Sequence, residues 1–153
     1  MIMRVFIVIF TLLAITGCNA TGPKFEQVEL PSNKLAKVYL YRPWAMMDGS
    51  ASPTIQINGV DSFNIKNGGY KVLELQPGLN TITVKKGNPF YWRAKEMTVK
   101  EELKASEVYF LRLTAAVGSS AFIGSTPVVS GNYSFGYVDK ETAFKELQET
   151  KQN

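Results

Sequence analysis

The chain has 153 residues, enough for one domain with its own core but too few for two comfortable ones. Hydrophobic residues make up 45% and charged residues 20%, values near the average for globular proteins. The formal net charge of +4 is spread along the chain, with Lys and Glu interleaved. Because no segment carries charges of only one sign, the charge pattern gives no indication of a nucleic-acid partner.

The chain contains no histidine and a single cysteine, Cys18. Histidine is the most common general acid or base near neutral pH and the most common transition-metal ligand. The usual zinc and copper sites therefore lack ligands, and an intrachain disulfide is impossible. The composition predicts a fold that depends on its core alone, with no cofactor and no metal.

The amino-terminal residues have the pattern of a secretory signal peptide. Arg4 supplies one positive charge, and residues 5–15 are apolar except for Thr11. A membrane-spanning helix needs roughly 20 apolar residues, so this run is too short to span comfortably. A basic start, a short apolar middle and a small-residue exit are typical of a signal peptide, here residues 1–17.

The exit, Ile15, Thr16, Gly17 and Cys18, resembles the lipobox of bacterial lipoproteins. The resemblance implies that the Cys18 thiol joins a diacylglyceryl group, that the bond between Gly17 and Cys18 is cleaved, and that the new amino terminus is acylated, for example with palmitate. Two or three acyl chains would anchor the protein stably, because each buried CH₂ contributes roughly 0.8 kcal/mol. The alternative is a free thiol beside an uncleaved apolar anchor.

The residue after Cys18 is Asn19, where Asp would resemble the inner-membrane retention signal of many Gram-negative bacteria. We therefore expect an outer-membrane protein whose domain faces the periplasm. Residues 18–34 are polar, contain two prolines and show no sustained period. This pattern predicts a lipidated amino terminus and an extended tether, with a short strand at residues 25–30.

Residues 35–153 are predicted to form the domain, beginning with segments of period two. In the first strand, Val38 and Leu40 face one way, Tyr39 and Tyr41 face the other, and Pro43 ends the strand.

Two turn motifs follow. Asn58-Gly59 lies between two alternating runs, and Pro77-Gly78 lies between two more. Asn-Gly supplies the positive φ values that a type I′ turn requires. The sequence therefore predicts a hairpin at each motif.

Further strands are predicted in residues 91–100 and 107–116. The second is almost wholly apolar apart from Arg112, as is typical of a central strand covered on both faces. A last pair is predicted across residues 126–138, with Gly131-Asn132 as its turn.

Only residues 139–150 have a helical pattern. Asp139 is a good N-cap, and Ala143, Phe144 and Leu147 share one side, which would dock on a sheet. About eight short strands and one terminal helix predict an antiparallel β-sandwich. The pattern leaves open whether the sheets close into a barrel.

Residues 37–86 resemble an uncharacterised family of bacterial lipoproteins with a small β-sandwich domain, related in pattern to PEGA-type surface domains. The resemblance is carried by "VYLYRP", "IQINGV" and "GGYKVLELQPGLNTITV". In such domains a His often follows the Pro-Gly turn, at the position where this chain has Asn80. The resemblance implies the fold and says almost nothing about function.

Aromatic and arginine side chains make up a candidate binding surface. Tyr, Trp and Arg are enriched at interaction hot spots, and aromatic faces also suit sugar rings. The candidates are Arg42, Trp44, Tyr91, Trp92 and Arg93. The alternative is that they pack within a sheet or core, as strand aromatics commonly do.

Catalytic constellations are weaker candidates. Residues 116–131 contain Ser119, Ser120, Ser125 and Ser130 but no Lys or His to activate a serine. Small and apolar residues dominate this stretch, so we predict a loop that packs on the sandwich or rests on a membrane or a partner.

A glycoside hydrolase would need two carboxylates at a defined separation in a cleft. We place the adjacent pair Glu101-Glu102 at a solvated turn, and the sequence shows no such catalytic pair. The available carboxylates are Asp48, Asp61, Glu74, Glu96, Glu101, Glu102 and Glu107.

These observations predict a non-enzymatic binding or structural module of the cell envelope. It would be held to membrane lipid through acylated Cys18, with an envelope protein or peptidoglycan as its partner. The alternative is an accessory lipoprotein of an envelope-spanning secretion complex. A carboxylate-based glycan hydrolase is the least favoured reading.

Overall fold

The computed structural model describes residues 19–32, 34–87, 91–123 and 126–153, with the backbone alone described at 120–123 and 126–129. This part of the chain forms nine strands and one helix. They are β1 (Ala36–Arg42), β2 (Thr54–Ile57), β3 (Val60–Asn64), β4 (Gly69–Leu75), β5 (Gly78–Val84), β6 (Met97–Leu103), β7 (Val108–Ile123), β8 (Thr126–Tyr137), α1 (Lys140–Leu147) and β9 (Lys151–Gln152).

The strands form two separate sheets. One has the order β8-β7-β1-β4-β9, and the other has the order β3-β2-β5-β6. Two sheets enclosing a common core confirm the predicted β-sandwich. The first sheet is mixed and not wholly antiparallel, because β1 pairs with β7, and β4 with β9, in parallel.

The strand β1 contributes to two cores. As predicted, Val38 and Leu40 face the second sheet, whereas Tyr39 and Tyr41 face the opposite side. The strand ends at Arg42, directly before Pro43. The other fully buried aliphatic residues between the sheets include Ile55, Ile65, Ile82, Val84, Leu103, Leu111 and Leu113.

The outer face of the five-stranded sheet is covered by α1 and the amino-terminal segment. Ala143 and Leu147 are buried there, and Phe144 packs against the same cluster, as the helical pattern predicts. The Asp139 carboxylate caps the helix by accepting a 2.9 Å hydrogen bond from the Thr142 amide. The prediction of a strand covered on both faces is confirmed for β7: Leu111 and Leu113 are buried between the sheets, and Phe110 is buried in the cluster under α1.

The predicted free tether is wrong for residues 19–25. The Ala20 amide donates to the Asn67 carbonyl at 3.1 Å, and the Phe25 amide donates to the Thr150 carbonyl at 3.3 Å. Phe25 is buried among aromatic rings. The segment forms only isolated bridges, so the strand predicted at residues 25–30 is also absent from the described residues.

Of the hairpins predicted at the two turn motifs, the structure contains one. Asn58 and Gly59 have φ values of 51° and 82° and join β2 to β3, which confirms the hairpin. Pro77-Gly78 does form a turn, but it joins strands of different sheets, so the predicted hairpin is wrong. Asn80 is buried and links both turns: its amide donates to the Gly78 carbonyl at 3.0 Å and it accepts from Asn58 at 3.0 Å.

The carboxyl-terminal half departs further from prediction. The predicted loop at 116–131 is part of a long antiparallel hairpin, paired from Leu111↔Tyr137 to Ile123↔Thr126. Gly131 and Asn132 lie inside β8 and do not form a turn.

The strand predicted at residues 91–100 begins only at Met97. Glu101 and Glu102 lie within β6, opposite Asn80 and Leu79, and not at a turn.

Candidate binding surface

The candidate residues meet at one end of the sandwich, beyond the carboxyl end of β1. Two loops, residues 43–53 and 91–96, and the strand β8 come together there. The loop after β1 begins at Pro43, which has no amide hydrogen to continue the sheet.

Arg42 holds the first loop in place from inside. Its side chain is fully buried, and the two terminal nitrogens donate to the carbonyls of Ala51 at 2.6 Å and Asp48 at 2.8 Å. The guanidinium carbon lies 5.1 Å from the centre of the Trp92 ring, a cation–π distance. Burial lowers the pKa of Arg42 to about 10, although the Asp48 carboxylate opposes this. The group therefore stays charged at neutral pH.

Asp48 joins the two loops to β8. Its carboxylate accepts from the Arg93 amide at 3.1 Å, from Arg93 Nη2 at 3.0 Å and from the Tyr133 hydroxyl at 2.7 Å. Burial raises the pKa of this carboxyl, but the hydrogen bonds and the charge of Arg93 outweigh it, so the pKa lies below its ordinary value. Asp48 also has a φ of 50°, a conformation that Asp tolerates better than most residues.

The structure brings the five candidates to one end but does not leave all of them on the surface. Arg42 and Trp92 are buried, so their assignment to a binding surface is corrected: desolvation and stacking make them internal supports. Trp44 and Tyr91 are each 61% exposed, and the Arg93 side chain is 43% exposed. A contact surface at this end would consist of Trp44, Tyr91 and Arg93.

Two open grooves flank this cluster. One groove, of about 420 Å³, is lined by Tyr91 and Trp92 and by residues with hydroxyl or lysine side chains, which are Ser50, Ser52, Thr54, Lys85 and Lys86. The other, of about 540 Å³, lies beside Arg93 and Tyr133. The ring of Tyr133 lies where a side chain at Gly131 would be, since a Cβ there would collide with it.

The chemistry of the cluster is that of a satisfied ion pair and not of a catalytic acid. A glycosidase acid needs a raised pKa. The pKa of Asp48 is lowered, and that of Asp61 is lowered by hydrogen bonds from Gln56 and Lys85. Among the described residues, no three His, Cys, Asp or Glu side chains are grouped to hold a metal.

The candidate serines are engaged with one another where they are described. The Ser119 and Ser130 hydroxyls lie 2.9 Å apart, and Ser130 also accepts from the Ser119 amide at 2.8 Å. Ser125 lies outside the described residues, as do the signal peptide, Cys18 and the rest of the lipobox.

Sequence reasoning missed Asp48 and Tyr133 as the residues that join the loops. The Asp48-Gly49 pair carried a turn signal, but nothing local identified its partners, which lie 45 and 85 positions away. For a second ion pair, the sequence indicated one of the two partners. Arg112 was the one charged residue in an apolar strand, and its Nη1 donates to Glu146 of α1 at 2.7 Å.

The fold defines the class first: a two-sheet β-sandwich with a carboxyl-terminal helix packed on its five-stranded sheet. The chain belongs to a family described as a protein of unknown function, DUF2846, whose family model matches residues 32–127. The match runs from before β1 into the first residues of β8, whereas the segment 19–31, the rest of β8, α1 and β9 lie outside it. A search of curated proteins finds no match.

None of the helices within the described ranges has the length and apolar character needed to cross a membrane.

Proposed function

We propose that the protein is a lipid-anchored β-sandwich of the bacterial envelope, acylated at Cys18 and held on the periplasmic side of the outer membrane. The lipobox-like exit at residues 15–18 and Asn19 in the following position support this assignment. As part of the same proposal, this member of an uncharacterised family is related to bacterial lipoproteins and to PEGA-type domains, as its sequence pattern predicts.

The observation that carries the proposal is the docking of the chain immediately after Cys18. Asn19 forms a bridge with Asn67, and the amide of Ala20, which is buried, donates to the Asn67 carbonyl. One peptide unit limits the Cα of residue 18 to about 3.8 Å from that of Asn19. A lipid on Cys18 would therefore hold the domain directly at the membrane, with no intervening linker.

A binding or structural role is supported by the contrast between the interior and the exterior of the cluster. Inside, Arg42 and Asp48 are engaged in hydrogen bonds that fix the loops. Outside, Trp44, Tyr91 and Arg93 present the residue types found at interaction hot spots. We propose an envelope protein or peptidoglycan as the partner, with an accessory role in a secretion complex as the alternative.

Mass spectrometry of the full protein tests the anchor. It would be produced in a bacterium that processes lipoproteins and extracted from the membrane fraction. We expect a mass that begins at Cys18 and includes acyl chains. The Cys18→Ala variant should keep its signal peptide and lack the lipid. Thr21→Ala, an exposed position just beyond the processing site, is the matched control and should be processed normally.

Two further measurements on the same samples test the membrane location and the alternative role in a secretion complex. Density separation of the membranes should place the wild type in the outer-membrane fraction, and native electrophoresis reports whether it migrates alone or in a large complex. An unmodified wild-type mass beginning at Met1 would contradict the proposal.

A further inference from the structure

A groove of about 440 Å³ opens at the end of the sandwich where β1 begins. Apolar side chains of the amino-terminal segment, β7 and the end of β8 line most of it, among them Leu30, Tyr109 and Tyr137. Glu101 of β6 and Lys140 of α1 are the charged residues of its wall. A half-buried charge on such a wall loses part of its hydration, so it gains from a partner of opposite sign.

Glu101 lies on the inner face of β6. Side chains alternate along this strand: Met97, Val99 and Leu103 pack against the core and Glu101 shares their face, whereas Glu102 is exposed on the other. Among the described residues, no Lys or Arg forms an ion pair with the Glu101 carboxylate. Every Lys and Arg beyond residue 18 lies within the described ranges. The domain therefore supplies no cation to this carboxylate.

Two tyrosine rings share the groove with this carboxylate. The ring centres of Tyr109 and Tyr137 are 5.9 Å apart, and the Tyr109 hydroxyl accepts from the Lys104 amide and donates to Glu107, both at 2.9 Å. Burial, and after it the negative charge of Glu101, raises the pKa of Tyr137 to about 12, so its phenol stays neutral at physiological pH. Aromatic faces attract ammonium and guanidinium groups, and a nearby carboxylate adds to that attraction. The groove therefore suits a cation on an apolar stem, as in a lysine or arginine side chain.

The sheet beside the groove has an open edge. The strand β7 pairs with β1 from Val108 onward but with β8 only from Leu111 onward, because the chain turns into α1 after Val138. The Val138 amide donates to the Phe110 carbonyl at 3.0 Å, and within the described ranges no strand pairs with Val108 on that side. An extended polypeptide can add to such an edge through its backbone, whereas a glycan cannot. The open edge therefore favours a polypeptide ligand.

The groove lies at the end of the domain that faces away from the proposed anchor. Val108 pairs with Lys37 at the start of β1, whereas Asn19 is bridged to Asn67 at the other end, near Arg42. The seven residues of β1 separate the two ends by roughly 20 Å, at about 3.3 Å per residue. A domain anchored at residue 18 would therefore present the groove to the periplasm and not to the lipid.

We propose that the groove binds a lysine or arginine side chain of an envelope protein, with Glu101 as its counterion and the partner's backbone paired with the open edge of β7. The inference rests on the proposed function and narrows its partner to a polypeptide with an exposed basic side chain. The Lys140 ammonium lies 5.5 Å from the centre of the Phe144 ring, at the α1 side of the groove. It repels a bound cation from that side, so the cation lies at the Glu101 side.

A titration with two matched peptides tests the groove. The full acylated protein is prepared in detergent micelles with a ¹⁵N label, and its amide signals are followed by NMR. One probe is a short blocked peptide of Thr and Val with a single central Lys. The other has norleucine at that place, which keeps the apolar stem and removes the ammonium. Soluble peptidoglycan fragments are the third probe.

We expect saturable shifts of the Val108 and Tyr109 amides with the Lys peptide, and roughly ten-fold weaker binding of the norleucine peptide. Glu101→Gln should weaken binding of the Lys peptide by a similar factor. Glu102→Gln is the matched control, because it removes the same charge from the neighbouring, outward-facing position of β6, and it should leave binding unchanged. The comparison of the two peptides uses the wild type, so it stands even if a variant folds poorly.

Equal binding of the two peptides, shifts centred away from the groove, or equal effects of the two glutamate substitutions would overturn the inference. Shifts at the groove with peptidoglycan fragments and not with the Lys peptide would overturn the polypeptide partner. These results leave the anchor standing. A mature protein without acyl chains that still distinguishes the two peptides would instead contradict the anchor and support the specificity of the groove.

Discussion

At the scale of single residues, Arg42 shows how a charge is kept inside the sandwich. Its guanidinium meets two loop carbonyls and the face of Trp92, while its Nε has no hydrogen-bond partner in the described part of the chain. A buried ion needs such compensation because desolvation costs several kcal/mol. The result is a loop of fixed shape, from which Asp48 reaches Arg93 and Tyr133.

Asp48→Asn should destabilise the protein by about 1–3 kcal/mol at neutral pH, because the amide cannot accept from all three donors. The folded-state pKa of Asp48 lies below its ordinary value of 3.8, so its contribution is present above that value and is lost as the pH falls through the lower, folded pKa. Urea unfolding should therefore show a difference between wild type and variant that is largest at neutral pH and shrinks below about pH 4.

Asp61→Asn is the control for this substitution. It removes the same charge from an exposed ion pair with Lys85 and should have a small effect. A difference for Asp48→Asn that stayed constant between pH 7 and pH 2 would show that its charge is not what stabilises the cluster.

At the scale of elements, α1 depends on its docking. A helix of eight residues is marginal in water, so packing must supply its stability. Ala143 and Leu147 bury its apolar side, and Glu146 fastens it to the sheet by accepting from the Tyr41 hydroxyl at 2.6 Å and from Arg112 at 2.7 Å.

Glu146→Gln should cost about 1–2 kcal/mol in the free energy of unfolding, because the ion pair with Arg112 is lost at a half-buried position. Amide hydrogen exchange within α1 should accelerate. Glu141→Gln breaks an exposed ion pair with Lys145 in the same helix and should cost no more than about 0.5 kcal/mol. Equal effects of the two substitutions would contradict the docking role.

The elements also show what a sequence can and cannot predict. The Asn58-Gly59 hairpin was predictable because its turn type is fixed by the residues of the turn. Pro77-Gly78 specified a turn equally well, but a turn motif does not determine whether its two strands remain in one sheet. Residues 116–131 suggested a loop because small residues such as Gly and Ser are common there. Backbone pairing between the two halves of the hairpin overrides that weak local preference.

The site was predictable to the same limited degree. Residue type selected Arg42, Trp92 and Arg93, which do meet, but burial of the first two depends on Asp48 and Tyr133, which are distant in sequence. Electrostatic and packing partners of this kind follow from the topology and not from local pattern.

At the scale of the molecule, residues 19–25 and the carboxyl-terminal residues 150–153 together close one edge of the five-stranded sheet. The Gly22 amide donates to the Gln152 carbonyl at 3.1 Å, and the Gln152 amide donates to the Pro23 carbonyl at 2.8 Å. Asn153 donates from its side chain to the Asn64 carbonyl and accepts from the Lys66 amide. The polar composition of residues 18–34 suggested a tether, because the composition of a segment does not show which of its backbone groups form hydrogen bonds.

Phe25 is the side chain that packs the amino-terminal segment against the five-stranded sheet and α1. Its ring meets those of Tyr39, Tyr70 and Phe144 edge to face, at 5.9, 5.7 and 5.9 Å between ring centres. Phe25→Ala should lower the free energy of unfolding by about 3–5 kcal/mol. It should also release the segment before it, so that the amides of Gly22 and Gln152 exchange faster.

Leu30→Ala is the control, because Leu30 is 86% exposed on the same segment and contributes little packing. Leu30→Ala should leave the free energy of unfolding and the exchange of both amides nearly unchanged. If the two substitutions had the same effect, the packing of the Phe25 ring would not be what holds the amino-terminal segment to the sheet.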